Sequence, residues 1–402
     1  MNRGGSVGLR GHAASLLLYM RRAQQMRREE RAVIAGNAAT GQSHPRLFNL
    51  DLHIGVIADL QQELEAQNVA LTHWSISAHN HLLPSRLSIT DPVRWVNHWN
   101  WTRLDDSRID RFQDRYGRFL RGFDGFVATY SPVFAELYRG LERPTLVVSA
   151  TRYEAPYSDR PSDWQRFDRY LQESVQSGTV HLYANNRGDA DYIRYFTGLD
   201  APVVPSLCER TPTQFRGRSS LRVIQSRAAN LASDVERESA GRYRSIRALG
   251  TPYRWEDLLD CEEVFVVPQN ISTMTLFELA TAGVPVAIPS TKWMKELVAT
   301  YPGVLAELTF HQVRDLDVAG LPVDSPVNYR SDRYLDWWLE RADFYNSALM
   351  PNVRVVNSVQ ELLHGETSAQ CGGETLRALT ETRNLNVAEA RRLMISSFLS
   401  AL

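Results

Sequence analysis

The residues best placed to do chemistry lie in Val264-Phe-Val-Val-Pro-Gln-Asn270-Ile-Ser272-Thr273-Met274-Thr-Leu-Phe-Glu278-Leu-Ala-Thr-Ala-Gly283-Val-Pro285. An apolar run ends in a polar turn, and the spacing predicts a helix starting at Ser272 or Thr273. Backbone N–H groups at a helix start have no partner within the helix, and the helix dipole stands behind them, which suits a diphosphate. Two hydroxyls at that start can add hydrogen bonds of their own. Gly283 ends the helix and Pro285 follows in the next turn. Glu278 sits among Leu276, Phe277, Leu279, Ala280 and Ala282. A carboxylate there is costly unless partnered, and the paired hydroxyls of a ribose can partner it. The competing reading makes Glu278 part of a solvated stripe and Ser272 a plain N-cap.

Other polar residues follow strands. Arg227, after the expected strand Leu221–Gln225, can grip a phosphate bidentately. Tyr253 and Trp255 can stack on a base or pack in a core. In the first half, His53 stands near one strand end, His79 and His81 follow the next, and Arg152 and Glu154 follow a third. Tyr130, Ser131, Asn185, Asn186, Ser206 and Glu209 occupy similar places. Loops are polar in any case, so the pair Arg152 and Glu154 reads equally as substrate contact or as a salt bridge between loops.

These residues need a scaffold, and the hydrophobic pattern supplies one. Strands at 47–54, 69–76, 125–129, 145–149, 180–183 and 203–205 alternate with helices at 56–67, 105–123, 131–141, 164–176 and 190–196. After a polar stretch at 208–220 the alternation restarts, with strands at 221–225, 263–267, 284–288 and 353–356. Helices are expected at 233–248, 272–282, 292–300, 334–345 and 388–402. The fold class is therefore α/β, with two Rossmann-like domains facing across a cleft, at 46–215 and 216–402, behind an N-terminal extension at 1–45 read as flexible. Ligands of such sheets bind beyond the carboxyl ends of the strands.

The segment around Glu278 resembles the donor-site signature of GT-B glycosyltransferases whose pattern is Glu-x7-Glu, small residues and Gly-x-Pro. Glu278, Gly283 and Pro285 match it in type and spacing. The first glutamate, which in that family contacts the donor sugar, is replaced by Asn270. The resemblance extends weakly over most of residues 46–365, and the stretches Asp51–Asp59, Thr151–Glu154, Tyr253–Leu258 and Asn270–Glu278 are also similar to glycosyltransferase-like proteins from microbes and large viruses. The resemblance implies that Glu278 binds the ribose, that Ser272, Thr273 and Met274 hold the diphosphate and that Asn270 meets the donor sugar, and Arg227 and Tyr253 are the further donor-site candidates of the 216–402 domain. It implies metal-independent transfer from a nucleotide diphosphate sugar to an acceptor hydroxyl in glycan or glycoconjugate biosynthesis. The 46–215 domain then holds the acceptor. His53 is the first choice of base, His79 and Glu154 are reserves, and Arg152 stands beside them. No cofactor is expected beyond the nucleotide sugar.

Composition limits the partners. Lys and Arg total 45 against 46 Asp and Glu, a balance that does not suit a nucleic-acid binder. Three separated cysteines, Cys208, Cys261 and Cys371, offer no zinc spacing and fit a reducing, cytoplasmic setting. Apolar Ala13–Met20 is shorter than the ~20 residues of a membrane span and precedes Arg21, Arg22, Arg27, Arg28 and Arg31, so residues 1–34 are also read as a weak peripheral membrane contact. Rival functions are a sugar-nucleotide epimerase of the same architecture, a non-catalytic nucleotide or sugar binder, and a metal-dependent transferase using Asp189-Ala-Asp191 or Asp315-Leu-Asp317. No GxGxxG follows a strand, which disfavours a dehydrogenase.

Overall fold

The computed structural model describes residues 9–36, 44–52, 54–76, 93–208, 214–250, 253–308, 321–365 and 373–402. The chain forms two compact units, each built on a five-stranded sheet. The first unit contains Met1–Ala184, Ile193–Pro202 and Leu393–Leu402, and the second Asn185–Tyr192 and Val203–Arg392. The units thus differ from the expected 46–215 and 216–402. A piece of the middle segment joins the second unit, and the last ten residues join the first.

In the first unit, β1 (Arg46–Asp51), β2 (Ala70–Ser75), β3 (Gly125–Ala128), β4 (Thr145–Ser149) and β5 (Val180–Ala184) are ordered β2-β1-β3-β4-β5, all parallel. Strands β3 and β4 are buried throughout, which is why they read as unbroken short runs. Helix α1 (Leu9–Gly36) precedes the sheet, α2 (Ile54–Ala66) crosses from β1 to β2, and α4 (Pro161–Gln176) crosses from β4 to β5. Helix α3 (Asp106–Leu120) buries Ile109, Phe112, Tyr116 and Leu120, the stripe its period predicts, and Asp105 caps it by accepting from Arg108 N. The expected helix at 131–141 is instead a short 3-10 turn, Pro132–Tyr138, and Gly140 follows at a φ of 75°. The expected strand at 203–205 amounts to one bridge residue, because Pro202 and Pro205 have no N–H to give a ladder.

Aromatic rings fill one layer beneath this sheet: Trp74 stacks on Phe119 at 4.7 Å and Phe126 on Tyr138 at 4.2 Å. Helix α1 is fastened here rather than standing apart. Glu29 accepts from Trp74 Nε1 at 3.1 Å, Arg22 donates to His73 O at 3.3 Å, and Glu30 takes two bonds from Arg115. The described part of the expected extension is thus one helix belonging to the first unit.

His73 carries a pH prediction. Its Nδ1 lies 2.6 Å from Asn49 Oδ1, and Asn49 Nδ2 donates to Val127 O, so the ring is the donor. Its other nitrogen finds no partner among the described residues. Desolvation of the half-buried ring, and then the charge of Arg22, lower its pKa to about 3. The folded state therefore refuses a proton that the unfolded chain accepts below about pH 6.5. Stability is expected to fall as pH drops from about 6.5 towards 3, by up to about 1.4 kcal/mol per pH unit from this group. Urea midpoints measured at several pH values on the wild type and His73→Asn check this, since the variant loses that part of the slope.

In the second unit, β6 (Arg222–Gln225), β7 (Tyr243–Ser245), β8 (Glu263–Val266), β9 (Val286–Pro289) and β10 (Val353–Val356) are ordered β10-β9-β8-β6-β7, again all parallel. Read from the β7 edge, this is the order of the first sheet. Helices α6 (Ala229–Glu238), α7 (Trp255–Asp260), α8 (Met274–Ala282) and α9 (Thr291–Thr300) form the crossovers. The expected helix at 233–248 stops early, because Ala240 and Gly241 take φ values of 50° and 79°, and the chain re-enters the sheet as β7. The expected linker does not float free: Phe215 N donates to Ala282 O, and Arg216 pairs with Asp260 at 2.7 Å.

Candidate functional site

Both sheets change winding direction between their first and third strands, and the crevice at the carboxyl ends of those strands is where ligands of doubly wound sheets bind. In the second unit these are the ends of β6 and β8. Ser226 and Arg227 follow one, and Val267 to Thr273 follow the other.

Helix α8 begins at Met274 with Thr273 as its N-cap. The Thr273 hydroxyl does not cap the first turn; it donates to Asn270 O at 3.2 Å. The turn before it is held from inside, with Asn270 Oδ1 accepting from Ile271 N at 2.8 Å. At the far end Gly283 closes the helix at φ 71° in the left-handed region, as Gly-x-Pro predicts. Leu276, Phe277, Leu279, Ala280 and Ala282 are buried, whereas Glu278 is half-buried.

A third turn, 301–308, is bonded to the turn after β8. Leu305 N donates to Pro268 O at 3.0 Å, and Glu307 N to Gln269 O at 3.1 Å. Gly303, at φ 106°, brings this turn onto Arg227 and Ala228, where a Cβ would lie 3.2 Å from Ala228 N. Glu307 is thereby set against two of the predicted residues. Its Oε2 accepts from Asn270 Nδ2 at 2.9 Å, and its Oε1 lies 3.5 Å from Arg227 Nη1. The Arg227 side chain is 63% exposed, so the pair is weak and open to a competing anion.

Ser272 reaches another segment of this unit. Its hydroxyl donates to Asn185 Oδ1 at 3.3 Å. Asn186 Nδ2 donates to the same oxygen and to Asp189, while Asn186 Oδ1 accepts from Asp189 N. Gly188 permits this close approach, because a Cβ there would meet Ile271 Cδ1 at 2.2 Å. Asp189 thus serves the start of α5 (Arg187–Thr197), and its neighbour Asp191 pairs with Arg341 at 2.9 Å. That Asp-x-Asp is already engaged within the protein, Asp315 and Asp317 lie outside the described residues, and no cluster fit for a metal occurs among the described residues.

Tyr253 and Glu278 also come together. Burial raises the Tyr253 pKa, and the charge of Glu278 raises it further. Close by in sequence, Trp255 Nε1 is buried and has no hydrogen-bond partner among the described residues, as is the case for Gln225 Oε1 at the end of β6. The structure therefore gathers Arg227, Asn270, Ser272, Thr273 and Met274 at one carboxyl edge, with Tyr253 beside Glu278 on the helix that starts there.

The first unit is less complete. His53 and His79 lie outside the described residues. Arg152 Nε lies 3.9 Å from Glu154 Oε1, and Glu154, fully buried, also accepts from Ser158 Oγ at 3.1 Å, so the pair is an interior contact of the loop after β4. At the switch point Asp51, also buried, accepts from Thr129 N at 3.0 Å and from its hydroxyl. Sequence reasoning passed over Asp51, Asn185 as a partner of Ser272, and Glu307. Only the Pro302-Gly303 turn hints at the last.

No family model matches the chain, and no curated protein matches it. Among solved structures it is similar to the glycotransferase of kitacinnamycin, at 12% identity over 89% of this chain and 100% of that one, with a TM-score of 0.43. It is likewise similar to the glycosyltransferase SnogD from Streptomyces nogalater, at 13% identity, 89% and 100% coverage and a TM-score of 0.42. The spinosyn rhamnosyltransferase SpnG complexed with thymidine diphosphate is a third, at 14% identity, 63% and 84% coverage and a TM-score of 0.35. Scores at this level add nothing to what the two sheets show by themselves: an α/β chain with two Rossmann-like units.

Proposed function

We propose that this chain is a metal-independent glycosyltransferase that moves a sugar from a nucleotide diphosphate sugar to an acceptor hydroxyl in glycan or glycoconjugate biosynthesis. The observation that carries the proposal is the convergence, at the switch point of the second sheet, of the α8 start, the Ser272 and Thr273 hydroxyls and Arg227, with Glu278 farther along the same helix. The diphosphate sits on the first-turn N–H groups with Ser272 and Arg227 beside it. Glu278 accepts the ribose hydroxyls and Tyr253 lies against the base. In the reaction the bond from the anomeric carbon to the phosphate oxygen breaks, and a bond to the acceptor oxygen forms. The electron pair of the broken bond goes to the diphosphate, whose growing charge the N–H groups and Arg227 stabilise without a metal. With inversion, the acceptor proton goes to a base, for which His53 is the first choice and His79 the reserve, whereas the buried Arg152–Glu154 pair stays a contact within its loop. With retention, the departing phosphate takes it.

The test is release of nucleoside diphosphate from a panel of nucleotide sugars by the full chain, with and without hydroxyl acceptors and with chelator. Release that needs an acceptor and survives chelation is expected. Alteration of the nucleotide sugar without acceptor points to an epimerase, and binding without turnover to a binding protein. Absence of binding refutes the proposal.

We also propose that α1 rests on an anionic membrane surface. No helix among the described residues is long and apolar enough to cross a membrane. Leu16, Leu17 and Met20 are 61%, 50% and 58% exposed, and Arg21, Arg27, Arg28 and Arg31 are exposed on the same helix, while Glu29 and Glu30 bond to groups of the first unit. Exposed arginines beside an apolar stripe suit anionic headgroups. Flotation with phosphatidylserine vesicles is expected to carry the protein, and the variant Leu16→Asp, Leu17→Asp to stay behind. Equal recovery of both, or equal binding to neutral vesicles, counts against it.

A further inference from the structure

We infer that Glu307 is a specificity-determining residue that favours the intact nucleotide sugar over the free nucleoside diphosphate. The inference rests on the donor-site reading above and concerns what that site rejects.

The backbone of Glu307 is tied to the β8–α8 turn through Gln269 O, and its carboxylate spans Asn270 Nδ2 and Arg227 Nη1. An anion so placed stands within reach of whatever is attached to the phosphate held by Arg227 and the α8 start. The two ligands differ at that point. A sugar-esterified diphosphate offers a single negative charge on its terminal phosphate, together with neutral hydroxyls that a carboxylate accepts well. A free terminal phosphate has a second ionisation near pH 6 and carries a charge of about −1.5 to −2 at pH 7. The carboxylate repels that extra charge and competes with it for Arg227, because like charges at short range disfavour each other. The Arg227–Glu307 pair is exposed enough to exchange partners at little cost. Donor thus binds by drawing Glu307 onto its hydroxyls. The product left behind after transfer meets a carboxylate whose charge repels its own, and leaves. A carboxylate that served only to hold the 301–308 turn in place would affect both ligands alike.

The test is calorimetric titration of the full-length wild type and Glu307→Gln with uridine and thymidine diphosphates and with their glucose esters, at pH 6 and pH 8. For the wild type, the preference for the glucose ester over the free diphosphate is expected to grow from pH 6 to pH 8. In Glu307→Gln, affinity for the free diphosphate is expected to rise threefold to tenfold while that for the ester stays level or falls, and the pH dependence of the preference to flatten. Thermal midpoints of the two proteins confirm that both are folded. If the wild type binds neither kind of ligand, the donor-site reading itself fails. If it binds both, and Glu307→Gln shifts both affinities in the same direction or leaves their ratio unchanged, Glu307 has no such role while the donor site stands.

Discussion

Replacing Glu278 with alanine is expected to weaken binding of any nucleoside diphosphate or nucleotide sugar by at least about thirtyfold while leaving the protein as stable as before. Hydrogen bonds to a charged group contribute about 1.5–3 kcal/mol each, and the carboxylate accepts from two ribose hydroxyls in the proposed complex. Two such bonds together contribute about 3–6 kcal/mol, above the about 2 kcal/mol that a thirtyfold change represents. Stability behaves differently because Glu278 is only half-buried, on a helix whose core contacts come from Leu276, Phe277, Leu279, Ala280 and Ala282. Alanine is at least as good a helix former as glutamate there. Calorimetry supplies the affinity and thermal unfolding the stability. A third readout is local: the charge of Glu278 contributes to the raised pKa of the Tyr253 phenol, so spectroscopic titration of Tyr253 is expected to move down in the variant. Unaltered nucleotide affinity, with the Tyr253 titration displaced as expected, removes Glu278 from the site.

The largest stability effect is expected beneath the same sheet. Glu263, at the start of β8, is fully buried. It takes a bidentate pair of bonds from Arg354 of β10, at 2.6 and 2.8 Å, and another from the Tyr243 hydroxyl of β7. These bonds tie the two edge strands of the second sheet to its middle. Arg354→Ala leaves the carboxylate without its cation, and breaking a buried pair from one side costs about 3–5 kcal/mol. The double variant Glu263→Leu, Arg354→Met is expected to recover most of that loss, since a buried pair replaced by apolar groups of similar size is often neutral. Denaturant unfolding followed by two probes, one for each unit, places the loss in the second unit's transition. A loss below about 1 kcal/mol in Arg354→Ala shows that water or other groups satisfy the carboxylate.

The parts of this arrangement that could be read from the sequence share a cause. Parallel strands buried on both faces leave apolar runs such as 146–148 and 264–267, and amphipathic helices such as α3 leave a period. The α8 start, Gly283 and Pro285 were legible because each is a local backbone requirement. What escaped is non-local. Strand β7 has only three residues and follows a positive-φ turn at Ala240 and Gly241, so neither period had room to show. Glu307 reaches Asn270 across 37 positions, and Asn185 reaches Ser272 across 87. No spacing rule covers such distances, which are set by how turns close on one another. Asn270 lacks the charge of the glutamate it resembles, and the fold brings a carboxylate to it from the 301–308 turn. Arg152 and Glu154 show the reverse: their closeness follows from adjacency, but the burial of Glu154 had no signal in the sequence.

The most direct measurement of where the nucleotide is held is amide hydrogen exchange of the full chain with and without saturating nucleoside diphosphate. Slowed exchange is expected over 269–278 and 225–228, where first-turn N–H groups and Arg227 meet the phosphates. Peptides of β1 to β5 are expected to keep their rates. Protection confined to the first unit, or bound nucleotide with 269–278 unchanged, contradicts a donor site at the start of α8.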